Sequence, residues 1–389
     1  MPTFALDFKK HTTKSLNNNY FMKSATAFIT VHPGEVLRDE LEMRGIKQKD
    51  FAATLGMPAS VLNDIIQGKR SVTPDIAILL EAALGKNASS WLTLQAERDL
   101  ELARQKEEFI QKQRDIETWQ LIQDCCNVAY LEKFLPNGLG KTIHEKISTI
   151  LNFFKVKTID SLREAFIKDV NPAYFRKSEK FENNPVNIFT WKHMAYDKSA
   201  SLSRPKDFDR EALHNLTEGL NIILYENENT IARIESLMNE YGIRFFLFAN
   251  QKGTHIDGFS FWRGANPSIA LTLRHQKIDI LAFTLMHEIC HVFRHLNPQD
   301  NSNACITLTD MKDSIEEKEA DTFARMSLIP VKDWQMFKER NAGVNPYAMS
   351  SRIREFAHKH QIHPAIVLGR YQHDFSIYDN GRGFDRSIK

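Results

Sequence analysis

His287-Glu288-Ile289-Cys290-His291 constrains this chain more than any other stretch. The pattern carries chemistry only on a helix. At 3.6 residues per turn, positions i and i+4 share a face. His287 and His291 can then grip one Zn2+ while Glu288 reaches a water on the same ion. The neighbours suit a buried helix over 278–296, with Leu281, Phe283, Leu285, Ile289 and Val292 on its other side.

Upstream, around residue 243, the apolar period changes from 3.6 toward 2. Stretches 243–249, 255–262 and 268–274, separated by Gly and Pro, predict three strands. An exposed edge strand beside such a helix can take an extended peptide by β-addition. Downstream, a polar loop over 297–313 precedes Ser314, a cap for a helix running to Leu328 before Ile329-Pro330. Zinc needs a third protein ligand and one open position. Glu316, Glu317 and Glu319 on that helix are the candidates. His295 completes an i, i+4, i+8 row, but a straight helix sets it about 12 Å of rise from His287, too far for one ion.

The N-terminal part has a different character. Apolar residues recur at helical spacing over 32–100, with breaks at Gly45, Gly56-Met57-Pro58, Gly68 and Gly85. Within it, 48–55, Gly56 and 58–67 have the layout of a helix-turn-helix. Ser60, Asn63, Asp64 and Gln67 stand opposite Val61, Leu62, Ile65 and Ile66. Short hydrogen-bonding side chains on an outer face suit base-edge reading in a major groove. Gln48, Lys69 and Arg70 flank that face and can hold phosphates. Residues 31–100 carry 8 Lys and Arg against 10 Asp and Glu, so a DNA face must be a local patch. The competing reading is a helical bundle whose polar face is only solvated.

The remainder adds limits. Residues 1–30 read as a polar, flexible arm whose Lys9, Lys10, His11, Lys14 and Lys23 can touch phosphates. A long charged helix is expected over 96–134, as a connector or a dimerising coiled coil. The span 139–240 reads as helical, punctuated by Asn171-Pro172 and Asn183-Asn184-Pro185, without recognisable chemistry. Four cysteines without a C-x-x-C fit a reducing cytosol. No apolar run approaches the roughly 18 residues of a membrane span, and no leader pattern stands out. The expectation is a cytoplasmic chain with no membrane partner. Its net charge of +2 neither requires nor excludes nucleic acid.

Two resemblances sharpen this reading. His32-Pro33-Gly34-Glu35-Val36-Leu37, Asp75-Ile76-Ala77, Trp91-Leu92, Leu94-Gln95 and Asp99-Leu100 occur in that order. Over about 31–105 the chain thus resembles the HigA-type antidote branch of the XRE helix-turn-helix family. The resemblance implies a homodimer on a palindromic operator, with 58–67 as the recognition helix.

The C-terminal half, over about 165–375, resembles the ImmA/IrrE metallopeptidase family. The residues are Leu271-Thr272-Leu273-Arg274, Phe283-Thr284-Leu285-Met286-His287-Glu288-Ile289-Cys290-His291, His295, Glu317-Lys318-Glu319-Ala320-Asp321-Thr322-Phe323-Ala324 and Leu328-Ile329-Pro330. Ile366-Val367-Leu368-Gly369-Arg370-Tyr371-Gln372 also fits. Glu317 with Ala320-Asp321 is similar to the ligand helix of gluzincin-type peptidases. This implies Glu317 as third ligand and Asp321 as hydrogen-bond support for a ligand histidine. By nearness to the terminal motif, Arg370, Tyr371 and His373 become candidates for oxyanion or substrate contact. Cys290 departs from the family's usual glycine, as a small buried filler, a soft ligand or an oxidisable thiol.

The expected fold is α+β and mostly helical: a helix-turn-helix bundle plus a zincin-like metallopeptidase domain with a small three-stranded sheet. Expected divisions are an arm (1–30), a DNA-binding domain (31–100), a helical linker (101–164) and a peptidase domain (165–389). The implied function is a DNA-binding regulator whose zinc metallopeptidase, with Glu288 as general base, cleaves a repressor or antitoxin protein. The alternative is a HigA-type antitoxin and autorepressor with a cognate toxin, its zinc domain a sensor or scaffold.

Overall fold

The computed structural model describes residues 31–169, 184–203, 205–297, 304–308, 314–377 and 383–389. The arm expected over 1–30, with its basic residues, and the Asn171-Pro172 break lie outside the described residues. Two compact units divide the chain, Met1–Asp115 and Ile116–Lys389. The described residues form seventeen α-helices and one four-stranded sheet. The architecture is α+β and mostly helical, as its periodicities predict.

The first unit is built from α1 (Pro33–Met43), α2 (Gln48–Thr54), α3 (Ala59–Ile66), α4 (Pro74–Leu84) and α5 (Ala88–Gln105). Local chemistry sets their ends. His32 Nδ1 accepts from Gly34 N at 2.8 Å, and Thr73 caps α4 ahead of Pro74. Gly56 takes a φ of +67° in the turn between α2 and α3, which favours glycine. Pro58 stands as the extended N-cap of α3 rather than inside its first turn. The inward faces of all five helices supply Leu37, Leu41, Phe51, Leu62, Ile65, Leu80 and Trp91, all buried. Each such side chain contributes roughly 1.5–3 kcal/mol.

The helix expected over 96–134 is broken. Beyond α5, Lys106 is extended, and α6 (Glu107–Cys125) follows. Asn127 then caps α7 (Val128–Phe134), its side chain accepting from Tyr130 N. The apolar stripe of that segment is too thin to hold one rod together, whereas Asn127 offers a local alternative to continuing the helix.

In the second unit, α7, α8 (Ile143–Phe153), α9 (Ile159–Asp169) and the end of α6 enclose Ile122, Leu131, Ile150 and Leu162. Phe189 of α10 (Pro185–Ser201) joins this core, its ring stacked on Phe154 with centroids 5.2 Å apart. A larger core follows around α11 (Leu213–Glu226), α12 (Thr230–Glu240) and the sheet.

The sheet has the order β1-β3-β2-β4, with β1 (Arg244–Leu247), β2 (Ile256–Arg263), β3 (Asn266–Leu271) and β4 (Ala304–Leu308). β1 and β3 are parallel, while β2 runs antiparallel to both β3 and β4. The expected sheet of three strands is therefore corrected to four. β4 arises inside the stretch assigned to a polar loop, because Ala304-Cys305-Ile306-Thr307-Leu308 is too short for its alternation to stand out. β2 is in turn not an edge strand, since β3 and β4 flank it.

Against this sheet lies α13 (Ile278–Cys290), with Leu281, Leu285 and Ile289 in the core beside Phe245 and Ile269. Residues His291–His295 continue it as one π-helical turn. Then come α14 (Ile315–Leu328), α15 (Val331–Arg340), α16 (Pro346–His360) and α17 (Pro364–Phe375). Among the described residues, no helix is long and apolar enough to cross a membrane.

Candidate functional site

One turn of α13 and one turn of α14 face each other. Ser314 caps α14, its Oγ accepting from Glu317 N at 3.1 Å, and this fixes where Glu317 leaves the helix. Nε2 of His287 and Nε2 of His291 lie 3.0 Å apart. Glu317 places Oε2 3.2 Å from the first and Oε1 3.3 Å from the second. All three residues are buried. Two imidazoles and a carboxylate converging on one point are a donor set that fits a divalent metal with one position left open.

Each of these two histidines is held from behind. His287 Nδ1 meets Asp321 Oδ1 at 3.0 Å, and Arg325 stands 3.8 Å from the other Asp321 oxygen. His291 Nδ1 meets His295 Nδ1 at 2.8 Å. The π-turn sets His295 there, so it supports a candidate ligand rather than joining the first three. Glu319 points elsewhere, pairing with Arg294 at 2.7 Å and His295 Nε2 at 3.3 Å.

Glu288 is fully buried. Ser260 of β2 hydrogen-bonds its Oε2, and the Thr307 hydroxyl of β4 also favours the carboxylate, while Oε1 is enclosed without a hydrogen bond of full geometry. A buried carboxylate oxygen without a full hydrogen bond, beside a metal-type donor set, fits a polar ligand bound there. Gly258, two residues from Ser260, lets β2 approach: a Cβ there would sit 2.1 Å from Glu288 Oε1. Sequence reasoning missed both residues. Their signal is two small side chains at i and i+2 among Phe259, Phe261 and Trp262, hence on one face of the strand.

Electrostatics follow from this enclosure. Burial raises the Glu288 carboxyl above its ordinary range. At His287 burial opposes the charge, but its hydrogen bonds to the Asp321 and Glu317 carboxylates prevail and raise it to about 10. Glu317 is likewise penalised by burial, yet its histidine partners lower it to about 2. Burial pushes the Cys290 thiol up to about 12.

Arg370, Tyr371 and His373 lie elsewhere on α17. Arg370 Nε and Trp334 Nε1 share Asp374 Oδ2, at 2.9 and 2.8 Å. Tyr371 is buried against Phe375, and His373 pairs with Asp374 at 3.1 Å. No described contact joins them to the triad. Tyr371 fits the helix to its core, Arg370 is half-buried and His373 is exposed.

In the first unit, Ser60, Asn63 and Gln67 are exposed along α3, with Gln67 Nε2 donating to Asn63 Oδ1 at 3.3 Å. Gln48, Lys69 and Arg70 are exposed beside them, and Asp64 is half-buried. α3 is held on its inner side by α1. A Cβ on Gly34 would meet Ile65 O at 2.0 Å, so only glycine allows this approach.

Residues 37–91 match the family model described as helix-turn-helix, and residues 238–347 match that of the IrrE N-terminal-like domain. Virulence-associated protein I of Dichelobacter nodosus is 37% identical over 81 residues, which cover 21% of this chain and 75% of that protein. The HTH-type transcriptional regulator YddM of Escherichia coli (strain K12) is 29% identical over 63 residues, 16% of this chain and 67% of that protein. Among solved structures, an addiction module antidote protein of a HigA family from Coxiella burnetii is 33% identical. It covers 21% of this chain and 92% of its own, with a TM-score of 0.20. The Pseudomonas aeruginosa antitoxin HigA, solved with the higBA promoter, is 37% identical over 19% of this chain and 83% of its own, with a TM-score of 0.19. The chain belongs to the XRE-type helix-turn-helix family and carries, in the same polypeptide, an IrrE/ImmA-like peptidase-family domain.

Proposed function

We propose that this chain is a cytoplasmic transcriptional regulator that binds operator DNA as a homodimer and cleaves a repressor or antitoxin protein with a zinc-dependent second domain. The observation that supports it is the convergence of His287, His291 and Glu317 beside the buried Glu288 Oε1, in one chain with an exposed recognition-type helix.

The His2Glu set suits Zn2+, and Nε2 of each ring with the Glu317 carboxylate would hold it. When bound, the ion supplies Lewis acidity, acidifying water and polarising a peptide carbonyl. Glu288 Oε1 takes the attacking water's proton and returns it to the leaving nitrogen. Ser260 at Oε2 and Thr307 fix the carboxylate, with Oε1 as the proposed basic atom. Asp321 accepts from His287 Nδ1–H and keeps Nε2 free to ligate. His295 Nδ1 accepts from His291 Nδ1–H in the same way, provided its own Nε2 carries the proton and donates to Glu319. Among the described residues β4 is the sheet edge on this side, and an extended peptide can add along it.

The DNA-reading part uses Ser60, Asn63, Asp64 and Gln67 toward base edges, with Gln48, Lys69 and Arg70 toward phosphates. The test is incubation of the zinc-loaded full chain with helix-turn-helix repressors and with itself, read by mass spectrometry. Defined fragments are expected. Stoichiometric zinc without any cleavage contradicts the peptidase.

The complete burial of Glu288 favours a second reading, in which the zinc domain is a sensor or scaffold of a HigA-type antitoxin and autorepressor. A small toxin reading frame beside the gene, and co-purification with its product, would support that reading.

A further inference from the structure

The π-turn gathers a second set of ligand atoms. Cys290 Sγ, a ring nitrogen of His295 and a carboxylate oxygen of Glu319 lie within 4.8 Å of one another. On a straight α-helix, residues five apart point about 140° away from each other. Here Leu296 N bonds His291 O at 2.9 Å, an i to i+5 bond, and the extra residue swings His295 back toward Cys290. Single π-turns within α-helices are frequent at functional sites. Glu319 arrives from α14 with its oxygens divided: Oε1 accepts from Arg294 at 2.7 Å, while Oε2 faces His295 Nε2 at 3.3 Å. The ion pair therefore leaves Oε2 aimed into the set. Cys290 is buried, His295 half-buried and Glu319 exposed, so the set is closed on the core side and reachable from solvent.

We propose that Cys290, His295 and Glu319 form a second metal site, distinct from His287, His291 and Glu317, for a borderline divalent cation such as Zn2+ or Co2+. A thiolate, an imidazole and one carboxylate suit these ions. Ca2+ and Mg2+, which take oxygen ligands, do not fit. The two sets touch through His291 Nδ1 and His295 Nδ1, 2.8 Å apart. Ligation through Nε2 in both rings would put an N–H on each of these atoms, and two donors cannot share such a contact. Filling one set therefore weakens the other, and the second ion binds more weakly than the first.

The test is a Co2+ titration of the metal-free full chain, which requires no peptidase activity. Two ions per chain are expected, with a sulfur-to-cobalt charge-transfer absorption that grows with the second. Cys290→Ser should lose that absorption and the weaker ion while keeping the first. Glu317→Gln, which disables the first set, should keep the absorption and bind its ion more tightly. Circular dichroism checks that each variant is folded. A single ion in the parent chain, an absorption that survives Cys290→Ser, or one lost in Glu317→Gln would overturn the proposal.

Discussion

Glu288 and His287 are adjacent in sequence, and burial treats them in opposite ways. The Glu288 carboxyl is raised by burial, the direction a general base needs to work near neutral pH. At His287, Asp321 and Glu317 hold the proton against burial. The consequence for the metal-free protein has a definite sign. The stabilisation from His287 is complete below its ordinary 6.5 and is lost as pH rises through about 10. That from Glu317 is present above its ordinary 4.5 and is lost as pH falls through about 2. A metal must displace the His287 proton, so its affinity should rise as pH climbs from 6.5 toward 10. Chelator competition at two pH values within that window checks this, and an affinity that does not change with pH contradicts it.

Elements decide where these side chains go. The spacing of His287, Glu288 and His291 is local, so sequence alone shows it. Glu317 and Asp321 reach the site only because α14 packs on α13, a tertiary fact that periodicity cannot supply and resemblance did. Gly258 and Ser260 leave only a weak signal, two small side chains among aromatics, because their partner lies on another element, 28 residues beyond Ser260. β4 was missed because five residues within a polar stretch leave too weak an alternation. Two glycines test these placements. Gly258→Ala forces Glu288 aside, as the 2.1 Å contact requires; cleavage should fall at least about 100-fold, the weight of a positioned general base, while zinc content holds. Gly34→Ala drives a methyl into Ile65 O. The first unit should lose about 1–3 kcal/mol in denaturant unfolding, the usual cost of overpacking, and an unchanged midpoint would show that α1 and α3 separate easily.

The whole molecule carries two family domains in one chain, and the proposed chemistry of each should fail on its own. Asn63→Ala with Gln67→Ala should lower operator affinity by a factor of about 10 or more, since each lost base contact costs about 1–3 kcal/mol. A gel shift checks this; an unchanged shift contradicts base reading by α3. The same variant should keep its zinc and its cleavage rate. The converse variant tests the peptidase itself: repressor cleavage by Glu288→Gln, compared with the parent chain at equal zinc content. The predicted result is a rate lower by about 100-fold or more, with operator binding intact. Equal rates in the two proteins would contradict it.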